Sequence, residues 1–281
     1  MISLNYETPI GSLAPFISSF YRFAYEGGPT AELERADRAQ FRFYLRGENE
    51  YRFADGNIDK GHPVTIVGPT SGHCSTYSPG NVTVFGWGIT PVGWAALMGP
   101  DAQKWANRAF DARMIFGDPI MDLHAALIQC NTLSDQVALA EIAAAEIYKN
   151  VDTAPFEFTS KVDLWLSSSC DPVIADLIFA TGLSIRQLER NTRRFYGLPP
   201  KKLARKYRAL RAAHILANEG ALDGSDMEFV FYDQSHLIRE VKQFTGLTPS
   251  ELKAGASQLT SATIQGRDAM RGKVAPLVSE S

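Results

Sequence analysis

The sequence predicts an α+β fold. A mostly antiparallel N-terminal β domain, cupin-like or sandwich in kind and carrying some helices, precedes an all-α domain. Three observations predict it. Short β-rich runs punctuated by Gly and Pro are confined to the region before about residue 130. Strand signals vanish from Phe158 onward. The C-terminal third repeats itself: Leu188, Arg190, Phe195, Gly197, Leu198, Pro200 and Leu203 recur as Leu237, Arg239, Phe244, Gly246, Leu247, Pro249 and Leu252, at a constant offset of 49. Each copy reads as a helix ended by Gly.

A chain of 281 residues suits two domains, and 45% hydrophobic with 21% charged residues is ordinary globular composition. The expected organisation is a regulatory or dimerisation domain over 1–150, a linker over 151–157, the helical domain over 158–256 and a loosely ordered tail over 257–281. Met1 to Glu7 carries neither a basic start nor an apolar run, so no signal peptide is expected. No stretch approaches the roughly 20 apolar residues of a membrane span. Cys74, Cys130 and Cys170 are far apart and odd in number. They suit idle thiols in a reducing cytoplasm better than a disulfide framework or a zinc site.

In chain order, Phe41 to Arg46, Val64 to Val67 and Val82 to Ile89 read as strands. Trp94 to Met98, stopped by Gly99-Pro100, reads as a short helix. Ser134 to Tyr148 is a stronger one, with Ser134 as cap and an apolar stripe of Val137, Ala140, Ile142, Ala144 and Ile147. That stripe either packs within its domain or forms a dimer face; paired regulators favour the second. Asn150 to Pro155 reads as linker. Lys161 to Leu166 is a short packed helix, and Asp171-Pro172 is a helix start leading to Gly182. Ser184 caps the next helix, which Gly197 stops. Pro199-Pro200 opens a long helix to about Leu216. Asp233 then caps a second copy that ends at Gly246, and Thr248-Pro249 opens the last helix. Helix, Gly-containing turn and capped helix, twice over, make a double helix-turn-helix.

Net charge is −3, but its distribution is uneven. Between Arg186 and Arg211 ten cations (Arg186, Arg190, Arg193, Arg194, Lys201, Lys202, Arg205, Lys206, Arg208, Arg211) face Glu189 alone, a local excess of +9. Such segregation is the electrostatic footprint of a nucleic-acid partner. A duplicated unit suits a target that is itself repetitive, and duplex DNA offers one major groove per turn.

These residues resemble the AraC/XylS family of bacterial transcription regulators. Gly182 to Arg190 (GLSIRQLER) is similar to the family's first recognition helix. The stretch Phe231 to Pro249, with Asp233-Gln234-Ser235-His236-Leu237, Arg239, Phe244-Thr245-Gly246 and Thr248-Pro249, is similar to its second-unit signature. The resemblance covers about residues 158 to 254. Phe85 to Pro91 more distantly resembles the sensor-like domains that precede some members. Two features depart from the family. Val230 stands where Gly is expected, after the unusual scaffold stretch Ser225 to Val230. The second unit also sets Arg239 and Lys242 against Asp223, Asp226, Glu228, Asp233 and Glu240. The first unit is therefore expected to supply most of the phosphate attraction.

The resemblance implies a cytoplasmic regulator binding double-stranded DNA, an activator that works with RNA polymerase, with a small-molecule effector at the N-terminal domain and a homodimeric state. It implies no cofactor. Arg186, Glu189 and Arg190 share one helix face, where Arg can pair with guanine and Glu with cytosine. For Arg190 a phosphate or a Glu is an equally good partner. Gln234, Ser235, Ile238 and Arg239 occupy the matching face of the second helix, where Ile238 can meet a thymine methyl. His236 is read as packing or backbone-bonded. Arg193, Arg194, Lys201, Lys202, Arg205 and Lys242 are phosphate candidates, which position without specifying. In the β domain Arg42, Tyr44, His73, Tyr77 and Trp87 either line an effector cavity or are ordinary sheet residues.

Two other classes compete. A cupin-like metal enzyme needs clustered His and carboxylate ligands. His62 and His73 are the only histidines before His124, and no His-x-His occurs, so no metal or catalytic residue is expected. A helical protein–protein module explains the repeat but not the +9 segment.

Overall fold

The computed structural model describes residues 1–99, 101–151, 155–222 and 231–279. The N-terminal part holds ten strands: β1 (Ile2–Glu7), β2 (Ile17–Tyr25), β3 (Thr30–Glu34), β4 (Ala39–Arg46), β5 (Glu50–Phe53), β6 (Ile58–Lys60), β7 (Val64–Val67), β8 (Cys74–Ser78), β9 (Val82–Ile89) and β10 (Ala109–Asp111). A six-stranded sheet runs β1-β2-β9-β4-β7-β10 and a four-stranded one β3-β8-β5-β6. The strand pairings are antiparallel throughout.

Both faces of the large sheet are buried, and strict alternation sorts its side chains. One face carries Phe20, Phe41, Phe43, Phe85 and Trp87 into the main core. Helices cover that face: α1 (Pro91–Met98), α2 (Ala102–Trp105), α3 (Arg113–Phe116), α4 (Pro119–Gln129) and α5 (Leu133–Ile147). The other face carries Tyr21, Tyr44, Val82 and Val84 toward Tyr51, Phe53 and Cys74 of the small sheet. Thr90 caps α1, its hydroxyl accepting from Gly93 N at 3.0 Å. The cap of α5 is Thr132 rather than Ser134: its Oγ1 accepts from Asp135 N at 3.1 Å. Val137, Ala140 and Ala144 of α5 join the main core, so the stripe packs within its own domain and Ile142 alone of its members is exposed. Of the stripe, Ile142 is the member left for a partner to cover.

The helical part comprises α6 (Pro155–Ser168), α7 (Ile174–Thr181), α8 (Ile185–Tyr196), α9 (Pro200–Glu219), α10 (Gln234–Thr245) and α11 (Pro249–Lys253). Pro155 opens α6 instead of breaking the chain, because the first helical position needs no N–H. Asp171 does not cap α7. The cap position falls on Val173 without a side-chain bond, and Asp171 accepts from Arg208 Nη1 at 2.7 Å. Leu188, Phe195, Leu203 and Tyr207 pack with Val162, Trp165 and Leu166 of α6 in one core. Val241, Leu247 and Leu252 pack with Ala212, Ala213 and Leu216 of α9 in another. Thus α9 is the spine shared by both units.

The tail is ordered where looseness was expected. Residues Gln258–Asp268 form α12, capped by Ser257, and Pro276–Ser279 form α13. Helix α12 lies against β1 and β3, and α13 against α6. Leu259, Ile264 and Met270 are buried, and Thr260 Oγ1 donates to Leu33 O at 3.1 Å. Among the described residues no helix is long and apolar enough to cross a membrane.

Candidate nucleic-acid interface

In the first unit a capping box fixes the start of α8. Ser184 Oγ accepts from Gln187 N at 3.4 Å, and Gln187 Oε1 accepts from Ser184 N at 3.0 Å. Leu188, Thr192 and Phe195 are buried, which turns the opposite face to solvent. That face carries Arg186, Glu189, Arg190 and Arg194, with Arg193 half-buried beside them. Ser184, Arg186, Gln187, Glu189, Arg190 and Arg193 line one surface concavity. Glu189 lies 3.9 Å from Arg193 Nη2, one turn on, so this face is polar, positive and only lightly self-paired.

In the second unit Asp233 Oδ1 accepts from His236 N at 2.7 Å. Val241 and Phe244 are buried, leaving Gln234, Ser235, Ile238, Arg239 and Lys242 exposed. His236 is a packing residue: its ring meets Phe231 edge-on and its Nε2 lies 3.2 Å from Glu240 Oε1. Residues 225–230, including Val230, and the acidic Asp223, Asp226 and Glu228 lie outside the described residues. Glu240 does not oppose the exposed cations as expected. Its carboxylate is 1% exposed and is gripped by Arg208 Nε and Nη2 at 3.0 and 2.9 Å, with Arg205 Nε at 2.6 Å.

The same pairing corrects the first unit's charge. Lys206 and Arg208 are buried, Arg205 is held by Glu240, and Arg211 donates to the carbonyls of Ser169 and Leu166. Arg205 is therefore poorly placed as a phosphate ligand. Arg186, Arg190, Arg193, Arg194, Lys201 and Lys202 remain outward.

The β domain docks on the C-terminal ends of both capped helices. Ala36 N donates to Phe244 O at 2.6 Å, and His73 N to Gln243 O at 3.2 Å. Gly246 is in the left-handed region at φ 78°, and a Cβ there would meet His73 and Leu33 at 3.1 Å, so both conformation and space require Gly. A Cβ on Gly197 would meet Pro69 at 3.0 Å. The N-terminal halves of α8 and α10 stay open. Across the same junction Lys206 Nζ donates to Asp37 O at 2.6 Å and Thr70 O at 2.9 Å. Burial, opposed by Asp37, pulls its ammonium down to about 7.

A cavity of about 80 Å³ lies between the two sheets. Arg42 and Tyr44 line it, but His73, Tyr77 and Trp87 do not. Thr76 and Ser78 face the cavity, so Tyr77 between them points out of the sheet. Trp87 shares its face with Phe41 and Phe43 and sits in the helix-covered core. His73 sits at the domain junction. Arg35 and Arg267 line the cavity and were missed. Arg35 stands in the charged run Glu34-Arg35-Ala36-Asp37-Arg38 and Arg267 in the tail; neither carries a sequence signal. Among the described residues no group of three or more His, Cys, Asp or Glu side chains is arranged to hold a metal ion.

Residues 178–255 match the protein family described as "Helix-turn-helix domain". No curated protein matches the chain. Among solved structures, ToxT from Vibrio cholerae O395 is similar at 12% identity and a TM-score of 0.48, over 84% of this chain and 97% of that one. Wild-type ToxT from Vibrio cholerae strain SCE256, bound to unsaturated fatty acid, is similar at 11% identity and a TM-score of 0.49, over 83% and 94%. The AraC-like transcriptional activator CuxR is similar at 10% identity and a TM-score of 0.31, over 68% and 80%.

Proposed function

From the match of residues 178–255 to a helix-turn-helix family, we propose that this chain is an AraC-type DNA-binding regulator of transcription that reads two adjacent major-groove segments, one with α8 and one with α10. The observation that carries the reading is the outward face of α8. A capped helix start presents Arg186, Glu189 and Arg190 together, flanked by Arg193, Arg194, Lys201 and Lys202. Base edges are read by side chains near the N-terminus of a recognition helix, and cations behind them hold phosphates. The second face offers Gln234, Ser235, Ile238 and Arg239 with Lys242 as its phosphate contact. The two units differ in charge, so the first contributes most of the salt-dependent affinity. The β domain senses rather than catalyses: its cavity holds an effector, with Arg42 and Tyr44 in the wall.

The test is selection of bound duplexes from a random pool by the full chain. The expected outcome is an enriched sequence that survives excess random duplex and elutes steeply with salt. Recovery of no sequence above the starting pool favours the protein–protein module and ends the DNA reading.

A further inference from the structure

The charges around the β-domain cavity do not balance. Three guanidinium groups, Arg35, Arg42 and Arg267, and two carboxylates, Glu34 and Asp37, line it. Four of these five are paired. Arg42 Nη1 and Nη2 donate to Glu34 at 2.8 and 2.5 Å. Arg267 Nη1 donates to Asp37 Oδ1 at 3.2 Å and its Nη2 to Asp37 Oδ2. Arg35 is the fifth. It is 5% exposed, and among the described residues none of its three guanidinium nitrogens has a hydrogen-bond partner. A buried cation without hydrogen-bond partners is costly, and proteins retain such a group where something else completes it. Burial and then the nearby Arg267 pull its pKa down to about 10, so it is still charged at neutral pH. Arg267 Nε is also unpartnered.

We propose that this cavity binds a short organic monocarboxylate, its carboxylate taken by the Arg35 guanidinium. One unmatched positive charge selects a monoanion. The planar guanidinium fork matches a carboxylate bidentately. Size sets the rest: the cavity is about 80 Å³, whereas an apolar cavity of about 150 Å³ holds one benzene. The part of the acid held inside therefore has only a few carbons. The hydroxyl-bearing Thr76 and Ser78 face Val82 and Val84 across the space, which suits a body with one polar substituent. The site's regulatory meaning rests on the effector reading above; the binding itself does not. Arg267 belongs to α12, beyond the second helix-turn-helix unit, and Asp37, whose carboxylate it holds, accepts from Lys206 of α9 at its main-chain carbonyl. An anion on Arg35 competes with Asp37 for Arg267 and so acts on the domain junction.

The test is calorimetric titration and thermal melting of the full chain, without DNA, with acetate, propionate, lactate and pyruvate. Propionamide, succinate, inorganic phosphate and matched chloride are the controls. At least one monocarboxylate should bind saturably, one per chain, and raise Tm, while propionamide does neither. Arg35→Met should raise the Tm of the ligand-free protein, because it removes an unpaired buried charge, and should weaken acid binding at least tenfold. Arg35→Lys should retain part of the binding. No saturable binding of any of the four acids, equal binding of phosphate, or binding unchanged in Arg35→Met would each overturn the site. If Arg35→Met does not fold, the comparison of propionate with propionamide on the unaltered chain decides. Because DNA is absent, failure here is distinct from failure of DNA binding.

Discussion

At the scale of single residues, Glu240 decides more than its charge suggests. It is enclosed by Arg208 and Arg205 from α9 and by His236 from its own helix. Removing one partner of a buried ion pair strands the other, at about 3–5 kcal/mol. Glu240→Ala should therefore lower unfolding free energy by that order in denaturant titration, and adding Arg208→Met should restore much of it. A loss below about 1 kcal/mol would mean the pair is screened. Lys206 gives a pH signature. Its ammonium titrates near 7 in the folded chain, against the ordinary value of 10.5. Between those values the unfolded chain holds a proton that the folded chain has released, so stability rises with pH across that window. Lys206→Met should flatten that rise in melts taken from pH 7 to 10. On the outer face, Arg186→Ala or Arg190→Ala should cost about 1–3 kcal/mol on target DNA and relax one base position. Lys201→Ala should weaken all sequences alike and reduce the salt slope by about one. Equal losses on target and random DNA for both arginine variants would contradict base reading.

At the scale of elements, legibility in the sequence followed the strength of local signals. Helix α8 announces itself through Ser184, Gln187 and Gly197, because caps and stops are local chemistry. Helix α12 does not. Its buried residues are Leu259, Thr260, Ile264 and Arg267, a mixed set with no apolar stripe, since much of its attachment is the Arg267–Asp37 pair. Strands β4, β7 and β9 are legible as short apolar runs between Gly and Pro, and alternation puts Arg42 and Tyr44 on one face; the other strands carry no comparable run. Alternation does not say which face encloses the cavity when both are buried, and so Trp87 reads equally well as cavity lining or as core. Tyr77 and His73 depend on which sheet or domain lies opposite, and that is long-range information. The role given to α12 has a direct consequence. Arg267→Ala should cost about 1–3 kcal/mol and speed amide exchange in β1 and β3 while leaving α8 unchanged. Unchanged exchange in β1 and β3 would mean that α12 is held by its apolar contacts alone.

At the scale of the whole molecule, charge is sorted by direction. Cations that the linear sequence groups together divide into an inward set, Arg205, Lys206, Arg208 and Arg211, which ties helices and domains, and an outward set on α8 and the start of α9. The β domain rests on the C-terminal ends of α8 and α10 and leaves their opening turns uncovered. The proposed reading, with two recognition helices of unequal strength joined by α9, rests on this arrangement. Hydroxyl-radical footprinting of the full chain on its selected duplex examines it most directly. The predicted result is two protected segments about one helical turn apart, unequal in strength, with Arg190→Ala weakening the stronger and Arg239→Ala the weaker. A single segment, or two equal segments that fade together whichever arginine is replaced, would contradict it.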